Sequence, residues 1–204
     1  MVAPAAVTGA MRHHLEDIMP LLAPIELYTP RLKLRWMDPQ DVDAHFAVFS
    51  DPAVMQYWSG EPWTDPDQAA KAIERIEAAC IAGSDLCLGI ELRDTGQLIG
   101  NVSLHHFVDA SRRCEIGYAL ASRYWGKAYA QEAVRAAIAY GFSALGLNRI
   151  EADIDPANAA SIRVLEKLGF RREGFMPERW IVHGTPADTV FYGLLKAYWD
   201  NTQT

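Results

Sequence analysis

The chain lacks any excess of basic charge. Nineteen lysines and arginines stand against 26 acidic residues, for a formal charge of −7 over 204 residues. A protein that grips a phosphate backbone shows a basic total or a basic stripe, so nucleic acid is not expected as a partner. Long apolar runs are missing too: no stretch reaches the ~18 consecutive apolar residues of a membrane span. Cysteine is scarce, with Cys80, Cys87 and Cys114 forming neither a CxxC nor a Cys/His pair at metal spacing. An odd set of this kind predicts free, buried thiols in a reducing compartment and no bound metal. The first residues are apolar but small and turn polar from Arg12 onward. A secretory leader has the opposite order, so a cytoplasmic protein is expected. Residues 1–24 read as an extension ahead of one domain over 25–204, a length that suits a single core.

What is present is a regular alternation of short elements. Residues 27–37 alternate like a strand, with Leu32, Leu34 and Trp36 on one face. Asp38-Pro39 predicts a capped helix to about Phe49, ended by Asp51-Pro52. A second helix is expected over 66–82, with Ala69, Ala70, Ile73, Ile76 and Cys80 on its apolar face and Gly83 closing it. An aromatic-rich loop over 55–63 lies between the two. Strands follow over 86–93 and 97–107, joined by Asp94-Thr95-Gly96, and over 113–120. The apolar spacing from Ala130 to Leu145 predicts a helix over 127–145. A strand over 149–155, a helix over 156–168 and strands over 170–181 and 189–195 complete a mixed α/β pattern. It has hairpins at both ends and a strand–helix–strand crossover in the middle.

Two segments carry chemistry. The strand ending at Leu120 runs into a turn with Arg123, Gly126 and Lys127, then into the longest apolar-faced helix. Such a helix start presents free N–H groups at the positive end of the dipole, a ready site for phosphate. In the second segment, Asn158 and Ser161 stand three apart in a helix's first turn and share a face. An ordinary turn and an ordinary helix cap explain the same spacings. The turn matches neither GxGxxG nor GxxxxGK[ST], which disfavours a nucleotide-binding domain.

Together the segments resemble the GNAT superfamily of N-acetyltransferases, in the RimJ/RimL-like branch. The resemblance covers about residues 27–199. It rests on Thr29-Pro-Arg-Leu-Lys-Leu-Arg35, Glu115-Ile-Gly-Tyr118, Tyr124-Trp-Gly-Lys127, Tyr129-Ala130, Glu132-Ala133, Asn158, Ser161 and Leu165-Glu-Lys-Leu-Gly-Phe170. It implies a single GNAT fold: a mixed, mostly antiparallel twisted sheet flanked by helices, with a splayed central strand pair. It also implies acetyl-CoA as co-substrate and a primary amine as acceptor, on a protein N-terminus or a small molecule. Backbone near Leu120 would pair with the pantetheine arm. The N–H groups of Trp125, Gly126, Lys127, Ala128, Tyr129 and Ala130 would cradle the pyrophosphate; the turn itself offers the charge of Arg123 and Lys127 beside them. Asn158 would bond the cofactor, and Ser161 would protonate the leaving thiolate. The family commonly has a second glycine where this chain has Ala128, and alanine suits a helix start.

The attacking amine must lose a proton, and Glu115, on the strand leading into the cofactor turn, is the first candidate acceptor. Glu91 and Asp153 are alternatives on neighbouring strands. Trp58 and Trp63, and more distantly Tyr192, are candidates for the acceptor side. Cys114 has no base partner and reads as packing. His105 and His106 are neighbours on a strand, should point to opposite faces, and so should not share a metal. The protein is expected to act as a monomer or homodimer, and a non-catalytic acyl-CoA sensor with the same fold is the alternative reading.

Overall fold

The computed structural model describes residues 24–202. The expected extension therefore lies, but for Pro24, outside the described residues.

The expected first strand is two: β1 (Glu26–Tyr28) and β2 (Leu32–Arg35). Between them Pro30 supplies no N–H, and the Leu32 N–H is taken by Thr29 Oγ1 at 2.9 Å. Leu32 and Leu34 are fully buried. Asp38 does cap a helical start, as a 3-10 turn over Pro39–Asp41 that continues into α1 (Val42–Phe49). Asp51 also caps, opening α2 (Pro52–Met55) with its carboxylate on Ala53 N–H. α3 (Pro66–Ala82) has the expected bounds, with a capping box from Asp65 and Gln68 and Gly83 left-handed at its end. Its buried face holds Ala69, Ala72, Ile73 and Cys80, while Ala70 and Ile76 are half-buried.

Strands β3 (Leu86–Leu92), β4 (Leu98–Val108), β5 (Arg113–Leu120) and β6 (Arg149–Ile154) fall close to expectation. Helices α4 (Tyr129–Ser143) and α5 (Ala159–Lys167) begin two and three residues late. Ala128 is left-handed ahead of α4, and Asp155 folds a turn onto Ala157 N–H ahead of α5. A long hairpin of β7 (Arg171–Val182) and β8 (Thr185–Leu195) follows. The closing helix α6 (Lys196–Thr202) gave no signal in the sequence.

One eight-stranded sheet runs in the order β1-β2-β3-β4-β5-β6-β8-β7. Every pairing is antiparallel except β5 with β6, which the α4 crossover makes parallel. That pairing covers only Arg113↔Arg149, Cys114↔Ile150 and Glu115↔Glu151. Beyond it the two strands part: β5 stays on β4 as far as Gly100↔Leu120, and β6 stays on β8. α4 packs against β2, β4 and β5, while α1 packs on α3 and β4. The main core under α4 includes Ile99, Leu104, Ile116, Val134, Ile138 and Ile150.

Gly100 sets how closely β4 and β5 approach at the open end. A Cβ there would lie 2.1 Å from the Ala119 carbonyl oxygen. Gly100→Ala is expected to destabilise the fold by about 1–3 kcal/mol, read as a lower urea midpoint.

Candidate functional site

A cavity of about 580 Å³ lies along the end of β5 that has parted from β6. Its wall is drawn from α2 and the residues after it, the end of β5, the turn into α4, and α5. Among the lining residues are Trp58, Tyr118, Leu120, Trp125, Gly126, Ala128, Tyr129, Ala130, Asn158 and Ser161. The two segments picked out in the sequence therefore face one space. The Tyr57 hydroxyl donates to the Ala157 carbonyl at 3.3 Å, joining the α2 side of the cavity to the α5 side.

The strand edge along the gap is open. Ala121 N–H bonds the Ile99 carbonyl at 2.9 Å, so by antiparallel alternation Ala119 faces β4 and the backbone groups of Tyr118 and Leu120 face the gap. The Leu120 carbonyl is occupied: the Trp125 indole N–H donates to it at 2.8 Å. The Leu120 N–H and both backbone groups of Tyr118 remain for an added strand-like ligand.

The turn into α4 is anchored from outside. Glu132 accepts from Thr29 Oγ1 at 2.6 Å, Arg31 N–H at 2.9 Å and Arg31 Nε at 2.7 Å. Arg31 in turn donates to the Lys127 carbonyl at 2.9 Å. With that carbonyl drawn away, the first N–H groups of α4 are left toward the cavity. Ala128 stands at this point with φ 62° and ψ 14°. The sequence reading of Ala128 as a comfortable helix start is thus corrected. It sits in the left-handed region, where a Cβ costs ~1 kcal/mol and glycine costs nothing.

The cations differ from expectation as well. Arg123 and Lys127 are exposed, their heads over the Tyr124 ring at 5.1 and 5.4 Å, and neither lines the cavity. Arg163 and Lys167, one turn apart on α5, do line it. Neither has an ion-pair partner among the described residues. Their i, i+4 spacing was in the sequence, but only the fold shows which face of α5 meets the gap.

Asn158 caps α5, its Oδ1 accepting from Ser161 N–H at 3.1 Å. That leaves its amide N–H groups free. Ser161 Oγ lies 2.7 Å from the hydroxyl of Tyr118, which also donates to the Ser161 carbonyl at 3.2 Å. Tyr118 was part of the motif yet was given no role. Burial pushes its hydroxyl up to about 12, so it keeps its proton at neutral pH.

Of the carboxylates, Glu91 is bound to Arg35 Nε at 2.6 Å, and Asp153 is held by Arg179, Trp180 and Thr189. Glu115 has no lysine or arginine partner among the described residues. It lies off the cavity wall on the opposite face of β5 from Tyr118, with His106 Nδ1 at 3.3 Å and His105 Nε2 at 4.0 Å. Both histidines are on one side because a bulge interrupts β4 after His105, and His106 takes φ 52°. The strand-alternation argument against their meeting fails at that bulge. Cys114 is buried, its thiol pushed up to about 12 by burial, as suits a packing residue.

Trp58 lines the cavity, edge-on to Phe49. Trp63 packs instead on Phe49 and His45 behind it. Tyr192 is buried in the sheet's core and donates its hydroxyl to Glu166 at 3.1 Å, away from the cavity. The hairpin tip reaches the same region: His183 Nδ1 lies 2.9 Å from Glu61 Oε1.

This geometry agrees with three comparisons. The acetyltransferase (GNAT) domain family matches residues 31–171. YoaA of Bacillus subtilis (strain 168), described as an uncharacterized N-acetyltransferase, is 39% identical over 170 residues, 83% of this chain and 96% of that protein. Spermidine N(1)-acetyltransferase of Escherichia coli (strain K12) is 26% identical over 153 residues, 75% of this chain and 80% of that protein. Among solved structures, Mycobacterium smegmatis RimJ in complex with CoA-disulfide aligns with a TM-score of 0.76 at 26% identity, covering 85% of this chain and 87% of that one. The chain belongs to the GNAT acetyltransferase family. Its sheet is the GNAT fold, and its structural neighbours include RimJ/RimL-like proteins.

Two outcomes check the site. Ala128→Gly is expected to raise unfolding stability by about 1 kcal/mol, measured by denaturant melts. His183 is held above its usual value by the hydrogen bond to Glu61. A raised value means the contact is present below the unfolded value of ~6.5 and is lost as pH rises through the folded one. Its NMR titration midpoint should therefore lie above 6.5 and fall back in Glu61→Gln.

Proposed function

We propose that this protein transfers acetyl from acetyl-CoA to a primary amine by direct attack within a ternary complex. One observation carries the reading: an open strand edge, a free helix start and two unpaired cations converge on one cavity. Tyr118 and Leu120 would hold the pantetheine arm through their backbone, as an added strand. The N–H groups of Tyr129 and Ala130 would take the pyrophosphate, and Arg163 and Lys167 the remaining phosphate charge. Asn158 would bond the arm through its free amide. No described helix is long and apolar enough to cross a membrane. The three free, buried cysteines fit a reducing, cytoplasmic setting.

Chemically, the amine nitrogen attacks the thioester carbon while an N–H on the β5 edge steadies the oxyanion. The amine's proton passes to Glu115, by way of water, since Glu115 stands three residues, about 10 Å, along the strand from Tyr118. The carbon–sulfur bond then breaks. The thiolate takes a proton from Ser161 Oγ, Tyr118 passes its own proton to that oxygen, and solvent water, which takes up the proton held by Glu115, returns one to Tyr118. Acid and base would thus act from opposite faces of β5. The acceptor enters past Trp58, and a net charge of −7 favours a cationic one. The spermidine enzyme and RimJ among its relatives make polyamines and protein N-termini the first acceptors to test.

Free-thiol release from acetyl-CoA should be accelerated by at least one amine in a panel of polyamines and N-terminal peptides. Glu115→Gln and Ser161→Ala are expected to lower kcat by about 10²-fold or more, with little change in acetyl-CoA affinity. Arg163→Glu should instead weaken CoA binding about tenfold, roughly 1.4 kcal/mol. Tight CoA binding with no thiol release across the panel would sink the catalytic reading and leave an acyl-CoA sensor.

A further inference from the structure

Outside the cofactor cavity, His105, His106 and Glu115 bring three ligand atoms within 4.8 Å of one another, on the face of β5 away from Tyr118. The arrangement depends on an unusual backbone. His106 is one of five non-glycine residues with positive φ among the described residues, and the bulge after His105 turns it onto its neighbour's side. Without the bulge, the two imidazoles would point to opposite faces. Left-handed backbone at a non-glycine residue costs free energy, and such outliers gather at functional sites.

The hydrogen bonds around His105 indicate how its ring is held. Ser103 Oγ donates to the Gly117 carbonyl at 3.4 Å and lies 3.2 Å from His105 Nδ1. With its proton on Gly117, Ser103 accepts from Nδ1–H. In the tautomer with the proton on Nδ1, Nε2 is a bare lone pair available to a metal. Nε2 then faces Glu115 Oε2, another acceptor, at 4.0 Å. His106 Nδ1 approaches the same carboxylate oxygen at 3.3 Å. Two acceptors turned toward one another are satisfied by a proton, a water or a metal cation between them. The partner on Nδ1 is also how metal-binding histidines are commonly oriented. Asp85 adds negative charge near His105.

We propose that His105, His106 and Glu115 form a site for a divalent transition metal of the zinc class. Two imidazoles and a carboxylate suit Zn(II), Co(II) or Ni(II) rather than magnesium or calcium. Ligand bonds of about 2.0–2.1 Å place ligand atoms about 3.3–3.4 Å apart in a tetrahedron. The Glu115–His106 distance already matches. The 4.0 Å between His105 Nε2 and Glu115 Oε2 closes by a shift of about half an ångström in the half-buried Glu115 side chain, and His106, whose side chain is 69% exposed, turns its ring toward His105. Three protein ligands on an open surface leave a fourth position for water or an anion. The site lies where β5 and β6 begin to part, beside Glu151 of the last pair. An ion there would engage the carboxylate proposed above as proton acceptor; the binding itself does not rest on that role.

The test is a Co(II) titration of the full chain after chelator treatment, followed by visible ligand-field absorption. The expected result is one band that saturates at one ion per chain and is displaced by Zn(II). His106→Gly removes a ligand and relieves the left-handed backbone. It should melt no lower than the metal-free parent yet bind Co(II) at least tenfold more weakly. Glu115→Gln should weaken binding similarly, and His183→Ala should leave it intact. A titration with no saturating band overturns the proposal. So does a band that survives undiminished in His106→Gly or Glu115→Gln, which would mark an adventitious ion elsewhere, for instance at His13-His14. None of these readings depends on acetyl transfer.

Discussion

The short parallel contact between β5 and β6 is the constraint on which the rest depends. Three residue pairs hold it, and its closed end is reinforced by charge. Glu151 bridges Arg113 at 2.6 Å and Arg149 at 2.7 Å, and Arg149 continues to Glu173. Two facing arginines would otherwise repel at Arg113↔Arg149. The carboxylate between them turns that repulsion into a clasp. Past Glu115 no such clasp exists, each strand keeps its other neighbour, and twist separates them. The fold thereby leaves hydrogen-bonding edge unmatched in mid-sheet, where it would ordinarily be a liability. The α2 loop, the turn into α4 and α5 surround that gap and make a cavity of it.

The helix start at the gap is positioned from the other end of the sheet order. Thr29 and Arg31, in the turn between the first two strands, grip Glu132 and the Lys127 carbonyl. Burial opposes the charge on Glu132, and its hydrogen bonds to Thr29 and Arg31 outweigh that, holding it below the usual carboxylate range. The opening strands and the turn into α4 are thus parts of one device, although about a hundred residues separate them. Ala128 is the strained member of that device. Its left-handed backbone is held by neighbours on both sides rather than by its own preference.

Much of this was legible in advance, and the reasons are local. α3 was readable to its end residues because Asp65, Pro66, Gln68 and Gly83 each carry a capping signal of known geometry. The order of elements followed from periodicity and from short turns such as Asp94-Thr95-Gly96. What escaped reading was set by distant contacts or by backbone sign. Ala128 and His106 are left-handed, and neither residue type announces it. Arg163 and Lys167 look like any solvent-facing pair until the gap is seen beside α5. Tyr192 alternates correctly for a strand, yet only the position of α5 shows that its hydroxyl goes to Glu166. α6 is a polar-and-aromatic helix of about two turns, and the sequence ahead of it carries no cap signal.

Strand alternation divides the work at β5. Tyr118 points to the face that carries α4 and α5, with Ser161 and the phosphate-ready cations. Glu115, Gly117 and Ala119 point to the other, with His105 over Gly117 and α1 and α2 beside Ala119. A Cβ at Gly117 would meet the His105 ring at 3.2 Å, so the glycine is what lets the histidine lie flat on the strand. Under the proposed function, a donor threaded through the gap would meet one set of groups on its way in, and an acceptor arriving on the far face would meet the other. Donor recognition can therefore stay constant while the acceptor face varies. On that proposal the family resemblance speaks to the cofactor side, and the acceptor, which would arrive on the face of Glu115, must be found by experiment.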